Sequence, residues 1–181
     1  MKKKSLTKFI ATSAFGIAMI IIAQLLSKVI PASQIPLIGV STSQIITGSL
    51  VNCVLFVFSE IYGMYCGMTI GVCSAIIASL IGVGPSIIVI VPIIACGNAL
   101  LCLLYCYLKK LSHILRIIIA AAGKCAFLWI GVSVALSLLS LKAAQVSTLT
   151  LMFSWPQGIT ALVGGLLASL ISKRICPQLK Q

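Results

Sequence analysis

Long apolar runs, separated by short breaks that carry lysine, proline, glycine or serine, make up most of the chain. Hydrocarbon offers the backbone no hydrogen-bond partners, so runs of this length are expected to be helices, whereas strands of a membrane barrel would alternate over roughly 10 residues each. The runs predict six transmembrane helices, at about 9–30, 43–59, 61–81, 87–108, 114–140 and 155–172. We therefore predict an all-α integral membrane protein in which residues 1–181 form a single transmembrane domain, a bundle of six helices.

Two boundaries of this assignment depend on short signals. The second run has only 17 residues, and its separation from the third depends on the turn-like stretch from Ser59 to Gly63. The start of the chain resembles a secretory signal, but the apolar stretch from Phe9 to Leu26 exceeds the roughly 7–15 residues usual for such signals. We predict that it is retained as the first span.

Composition and charge agree with this assignment. Of the residues, 61% are hydrophobic and 8% are charged, and the mean hydropathy is +1.24, which excludes a water-soluble domain. The net charge of +12 comes from thirteen Lys and Arg residues against one acid, Glu60. These cations flank the apolar runs and form no patch interleaved with aromatic residues, so they indicate topology and not nucleic-acid binding.

The cations also predict which way the bundle is oriented. With six spans, the N-terminus, the 2–3 turn, the 4–5 loop and the C-terminus share one side. That side holds ten cations, namely Lys2, Lys3, Lys4, Lys8, Lys109, Lys110, Arg116, Lys173, Arg174 and Lys180, whereas the other holds Lys28 and Lys142. The positive-inside rule then predicts that both termini are cytoplasmic.

Two segments on the outer side are candidates for a cover over the bundle, and three groups of small residues are candidates for helix contact surfaces. The segments 31–41 and 142–154 mix apolar and polar residues, and we expect the first to fold back as a lid and the second to supply another part of the cover. Span 3 carries the stripe Gly63, Gly67, Gly71, Ala75 and Ser79, and span 6 carries Ala161, Gly164, Gly165, Ala168 and Ser172; both predict close helix packing. A shorter patch on span 1, whose partner need not lie within this chain, comprises Ala11, Ala14 and Ala18.

Lys124 is the most informative polar residue within a span. It lies roughly 15 Å along span 5, near the middle of the bilayer, while Glu60 at the cytoplasmic end of span 2 is expected to be too distant to pair with it. A buried lysine without an acidic partner loses its proton, bonds to carbonyl groups, snorkels, or binds an anion brought by a ligand. Both the ligand-binding and the snorkelling or carbonyl-bonded interpretations remain open here.

Four further residues are candidates for the same site. Asn98 and Asn52 carry amides within spans 4 and 2, where interhelical hydrogen bonding is the usual role. Trp155 and Gln157 open span 6, where the alternatives are an aromatic-belt anchor and a polar helix end. Together these groups predict a site in the outer half of the bundle.

Catalytic patterns are missing from the sequence. Glu60 is the one acidic side chain and His113, in the basic 4–5 loop, is the one histidine, so no acid–base pair, triad or carboxylate-bound metal is predicted. We expect His113 to be solvated or to contact lipid headgroups. No Walker A motif occurs. The eight cysteines, at 53, 66, 73, 96, 102, 106, 125 and 176, form no C-x-x-C. We expect neither an enzyme nor a bound cofactor or metal, with the cysteines acting as small hydrophobes.

These features together resemble a known family, the substrate-binding S-components of energy-coupling factor (ECF) transporters. The similarity lies in the size, the six spans with a basic N-terminus, and the order of motifs: the Ala14-x-x-x-Ala18 patch, Gly48 to Asn52, and the glycine stripe. It continues with Pro85, Pro92 and Gly97-Asn98, then Lys124, and then Trp155-Pro156-Gln157 with Gly164-Gly165.

The resemblance implies a binder of a vitamin or other micronutrient in the plasma membrane of a prokaryote. Ala14 and Ala18 would dock on a membrane coupling subunit, the T-component, and two ATP-binding-cassette ATPases would power uptake. Lys124 would bind a carboxylate-bearing substrate that Asn98 and Gln157 orient. The alternatives are a membrane thiol oxidoreductase that uses Cys102 and Cys106, and a stand-alone carrier or channel.

Overall fold

Helices form nearly all of the described structure. A computed structural model describes residues 3–30, 34–35, 40–85, 87–139 and 143–175. Seven helices occupy these ranges: α1 (Lys3–Val29), α2 (Thr42–Tyr62), α3 (Met64–Leu80), α4 (Ile90–Tyr107), α5 (His113–Ser137), α6 (Ala143–Met152) and α7 (Trp155–Ile175). Between α1 and α2, Gln34–Ile35 (β1) pairs antiparallel with Val40–Ser41 (β2).

Five stretches within the described residues are long and apolar enough to cross a membrane. They are Leu6–Val29, Thr42–Tyr62, Ile90–Tyr107, His113–Ser137 and Gln145–Ile175, the last of which combines most of α6 with α7. Met64–Leu80 is apolar but shorter. This architecture is compatible with a multi-pass helical membrane protein, and each of the six predicted runs coincides with a helix.

The structure differs from the sequence-based assignment at two places. The turn predicted from Ser59 to Gly63 is wrong in extent, because α2 continues through Tyr62 and only Gly63 interrupts the helices. Its φ of 92° lies in the region that glycine adopts without steric cost. The segment 142–154, predicted as part of a cover and assigned to none of the six spans, contains α6. The other predicted lid, 31–41, lies mostly outside the described residues.

The helices pack around α2, which contacts α1, α3 and α7, while α4 packs between α3 and α5. The main core buries large side chains of several helices, among them Ile20, Phe56, Ile70, Leu101 and Tyr105. A second core, formed by Ile90, Leu128, Val132, Leu136 and Phe153, joins α4 and α5 to the corner between α6 and α7. The cavity described below lies at this end of the bundle.

The predicted small-residue stripes lie at helix contacts. A Cβ atom on Gly71 of α3 would lie 3.1 Å from Cβ of Asn98 on α4. On α7, a Cβ atom on Gly164 would lie 2.6 Å from the carbonyl oxygen of Ser49 and 2.7 Å from Cβ of Asn52. Glycine at these two positions therefore permits the backbone approach that holds Asn98 and Asn52 in place.

The opposite end of the bundle is closed by a polar and aromatic cluster, here called the closed-end cluster: Glu60, Tyr105, His113 and Arg116. Arg116 Nη2 donates to Glu60 Oε2 over 2.8 Å, and Arg116 Nε donates to the carbonyl oxygen of Tyr105 over 3.0 Å. The guanidinium carbon lies 4.0 Å from the centre of the Tyr105 ring. Arg116 is thus a buried, paired residue and not a solvated loop cation.

His113 is half-buried and therefore not fully solvated. Its Nδ1 lies 3.3 Å from the Tyr105 hydroxyl and its ring is edge-on to the Tyr105 ring. This contact ties the start of α5 to α4, and it completes the closed-end cluster.

Candidate functional site

A cavity of about 380 Å³ opens at the end of the bundle where α1 ends and α2 begins. The turn between α3 and α4 and the corner between α6 and α7 complete its walls. Half of its lining residues carry polar side chains, although 61% of the chain is hydrophobic. The volume lies within the range of roughly 300–1,000 Å³ that is typical of small-molecule sites.

The cavity brings together four of the five residues predicted to bind a ligand: Lys124, Asn98, Gln157 and Asn52. Its lining on α2 extends from Ser43 to Asn52, about 14 Å along the helix at a rise of 1.5 Å per residue. Trp155 does not line the cavity; its side chain is 40% exposed at the start of α7. The alanines predicted to dock a partner, Ala11, Ala14 and Ala18, are exposed on the outer surface of α1.

Lys124 lies at the base of this cavity and is 3% exposed. Its Nζ donates to Oδ1 of Asn52 over 2.7 Å, its one hydrogen bond to a described residue. Asn52 Nδ2 in turn donates to Oγ1 of Thr160 over 3.3 Å, and Thr160 Oγ1 donates to the carbonyl oxygen of Gln157 over 3.1 Å. Three helices, α2, α5 and α7, therefore fix the position of the ammonium group.

Asn98 and Gln24 are held on the facing wall by α3. Asn98 Nδ2 donates to Ser74 Oγ over 2.9 Å and to the Gly71 carbonyl oxygen over 3.2 Å. Ser74 Oγ donates to the same Gly71 oxygen over 2.7 Å, and Gln24 Nε2 of α1 donates to the Ser74 carbonyl oxygen over 2.9 Å. These bonds join α1, α3 and α4 at one level of the cavity wall.

Gln157 belongs to the corner between α6 and α7. Its Nε2 donates to the carbonyl oxygen of Met152 over 3.2 Å, and Cys125 Sγ on α5 donates to the carbonyl oxygen of Ser154 over 3.3 Å. Phe153, 5% exposed, anchors the corner in the second core. The corner is thereby attached to α5 and positions Gln157 at the cavity.

The cavity carries positive charge without a compensating acid. Lys124 lies at its base and Lys28 on its lining near the end of α1, and no lining residue is a carboxylate. The one acid of the chain, Glu60, pairs with Arg116 at the closed end. The lining offers ammonium, amide and hydroxyl groups, which bind solutes, and it contains no acid–base pair. Cys102 and Cys106 are buried free thiols in the main core, outside the cavity lining.

Nine further polar residues of the lining were not predicted as site residues, among them Gln24, Thr47, Ser74 and Thr160. Serine and threonine within helices usually bond to their own backbone, so their presence in a span does not by itself indicate a site. Helical spacing was the available signal, because Gln24 and Lys28 lie four residues apart in the mainly apolar C-terminal half of α1, and Gln44, Gly48 and Asn52 follow the same spacing on α2.

Comparison of the chain with family models, with curated proteins and with solved structures found no match.

Proposed function

We propose that this chain is the substrate-binding subunit of an ECF-type importer that captures a small anionic solute. In this proposal it spans the membrane six times with both termini in the cytoplasm, and the cavity faces the outside. The observation that carries the proposal is Lys124, a buried cation at the base of a polar cavity whose lining contains no acid.

The energetics of a buried ammonium group favour an anionic ligand. Removing a charge from water costs several kcal/mol unless a partner of opposite charge or a full set of hydrogen bonds compensates it. The one hydrogen bond of Lys124 to a described residue uses an amide oxygen, which is neutral. A carboxylate that enters the cavity would supply both the charge and the hydrogen-bond acceptors.

The proposed orientation rests on the distribution of cations. Lys8 near the start of α1, Lys109 and Lys110 between α4 and α5, and Lys173 and Arg174 in the last turn of α7 all lie at the end remote from the cavity. Among the described residues, Lys28 in the last turn of α1 is the cation that lies near a helix terminus at the cavity end. The positive-inside rule assigns the remote end to the cytoplasm, so the cavity would collect solute from outside.

The need for partners follows from the sequence and from the surface of α1. The chain lacks a Walker A motif, so active uptake would require separate ATPases. The exposed alanines at 11, 14 and 18 leave a shallow surface on α1 against which another helix can pack closely. We assign this surface to the T-component, which would connect the chain to two ATP-binding-cassette ATPases in a prokaryotic plasma membrane.

The first test is ligand binding by the purified protein in lipid nanodiscs. Native mass spectrometry of the wild type is expected to detect a co-purified acidic molecule, and Lys124→Met is expected to lose it. Lys110→Met is the matched control, because Lys110 is exposed at the opposite end and should retain the ligand. Equal retention by Lys124→Met and the wild type would contradict the assigned role of Lys124.

The second test concerns the partner. Co-expression with a T-component and its ATPases should yield a complex that Ala14→Leu or Ala18→Leu weakens, while Ala122→Leu, on the exposed surface of α5, leaves it intact. Uptake against a gradient by liposomes that contain this chain alone would instead support a stand-alone carrier.

A further inference from the structure

Five amide side chains line the cavity, and three of them, those of Gln24, Asn98 and Gln157, are fixed in orientation. Each donates through its NH2 group to a backbone carbonyl oxygen: Gln24 to Ser74, Asn98 to Gly71, and Gln157 to Met152. A carbonyl oxygen only accepts hydrogen bonds, so the nitrogen and oxygen of these amides cannot be interchanged.

This orientation leaves the amide oxygens available as acceptors. Gln24 Oε1 is buried and has no hydrogen-bond partner in the described part of the chain. The side-chain hydrogen bonds of Asn98 and Gln157 to described residues all use the amide nitrogen, which leaves Asn98 Oδ1 and Gln157 Oε1 as acceptors. The cavity wall therefore presents three amide oxygens that can accept hydrogen bonds from a ligand, while the NH2 groups of the same amides already donate to the protein backbone.

The amide of Asn52 behaves differently. The Thr160 hydroxyl donates to the Gln157 carbonyl oxygen, so it accepts from Asn52 Nδ2, and Asn52 Oδ1 accordingly faces Lys124. Both ends of the Asn52 amide are thus used within the protein. Lys124 has three ammonium hydrogens and donates one of them to Asn52. The other two remain available to a ligand at the base of the cavity.

We propose that the ligand is a carboxylate that also carries N–H donors, as in an acid with a primary amide, ureide or lactam group. The carboxylate binds Lys124, and the N–H groups donate to the oxygens of Asn98, Gln157 and Gln24. A purely aliphatic acid would supply no donor to the buried Gln24 Oε1 or to the amide oxygens of Asn98 and Gln157, which disfavours binding. This inference rests on the proposed function, since it describes the solute that the same cavity takes.

The test uses pairs of acids that differ only in the donor. Succinamate, glutaramate and adipamate each carry a carboxylate and a primary amide, and in the matched methyl ketones, such as levulinate for succinamate, CH3 replaces NH2. Affinity is measured for the wild type in nanodiscs by ligand-induced thermal stabilisation. At least one amide acid is expected to bind about tenfold more tightly than its ketone, since one good hydrogen bond is worth about that factor.

Variants then connect this preference to the amide oxygens. Gln157→Leu and Asn98→Leu are expected to reduce the amide-to-ketone ratio to below about threefold, consistent with the loss of one acceptor. Gln157→Leu is the safer variant, because Gln157 is only half-buried, whereas Asn98 is 3% exposed and supports the fold. Gln145→Leu, exposed on α6 and outside the cavity, is the control and should keep the wild-type ratio.

The outcomes separate this inference from the proposed function. Equal affinity of the wild type for amide and ketone, with both lost in Lys124→Met, would overturn the donor-bearing ligand and leave the anion site standing. Failure of every acid to bind at millimolar concentration would also overturn this ligand class. The proposed function would still be decided by the co-purified molecule and by the complex with the coupling subunit.

Discussion

Two buried cations on α5, Arg116 and Lys124, lie at different levels of the bundle and differ in what they contact. Both reach across to α2: Arg116 to Glu60 and Lys124 to Asn52. The partners are eight positions apart on each helix, 52 to 60 and 116 to 124, so the two contacts lie about 12 Å apart along the bundle. At the closed end the partner is a carboxylate, and at the cavity it is a neutral amide.

The difference between the two cations follows from the position of the single acidic residue. At the closed end, Glu60 and the Tyr105 carbonyl group accept hydrogen bonds from the guanidinium, and the Tyr105 ring covers it. The Glu60 carboxylate supplies the countercharge without a ligand, so this cluster serves stability. Because the only acid of the chain is used there, Lys124 remains without a countercharge beside a cavity. A structural ion pair and a candidate binding group are thus distinguished by their partners and not by their burial.

Removal of the guanidinium is expected to have the largest effect on stability. Arg116→Met would leave Glu60 without its partner and expose the Tyr105 carbonyl group to an apolar neighbour. Breaking a fully buried pair costs about 3–5 kcal/mol, and because the Glu60 side chain is 26% exposed we expect a loss of about 3 kcal/mol in unfolding free energy. Denaturant unfolding in detergent micelles measures this change.

A second variant separates the charge effect from lost packing. Adding Glu60→Gln to Arg116→Met removes the unpaired carboxylate and is expected to recover part of the lost stability. Lys110→Met, exposed at the same end, should leave the unfolding free energy unchanged. A double variant that is less stable than Arg116→Met would contradict the role given to the ion pair.

Asn52→Asp would give the cavity the kind of ion pair that the closed end has. The new carboxylate would lie beside Lys124, and the Thr160 hydroxyl could turn to donate to its second oxygen. An internal countercharge competes with an anionic ligand, so affinity for the co-purified acid is expected to fall by about tenfold or more while the protein remains folded. Unchanged affinity in an equilibrium binding assay would mean that the ligand does not use Lys124.

The sequence was sufficient to predict the six helices that coincide with apolar runs, but not α6 or all of the helix boundaries. Each apolar run coincides with a helix, because apolar length is a strong signal over 17 or more residues. The end of α2 was placed too early, because Ser59 is common in turns and Glu60 puts a charge at the end of an apolar run, yet both lie within the helix. Their side chains face the packed interior and Arg116, so tertiary contacts override the local preference.

The candidate site was predictable only where a polar residue interrupts an apolar span. Lys124, Asn98 and Asn52 stood out for this reason and do line one cavity. Trp155 suggested the same site by its position at a span end, but a side chain there can point either way, and it lies outside the lining. The pairing of Arg116 with Glu60 could not be predicted, since it depends on how α5 is placed relative to α2.

Gly164→Ala tests how closely the cavity depends on packing. The added Cβ would lie 2.6 Å from the Ser49 carbonyl oxygen and 2.7 Å from Asn52 Cβ, so α7 and α2 must separate. We expect a loss of about 1–2 kcal/mol in stability and weaker ligand binding, because Asn52 shifts relative to Lys124. Gly158→Ala on the same helix is the control: its Cβ would lie 3.5 Å from Cys125 Sγ, an ordinary contact. That variant should match or slightly exceed the wild type in stability.

Tyr105→Phe is expected to have the smallest effect and tests whether the two levels are independent. The substitution keeps the ring, which lies edge-on to Phe56 at 4.8 Å and covers the Arg116 guanidinium, and removes only the hydroxyl that contacts His113. A net hydrogen bond contributes about 0.5–1.5 kcal/mol, and at 3.3 Å this one should contribute near the lower limit. Ligand affinity should not change, because the hydroxyl belongs to the closed-end cluster and lies outside the cavity lining. A drop in affinity with little change in unfolding free energy would mean that the two levels are coupled through α5, and that the closed end helps to position Lys124.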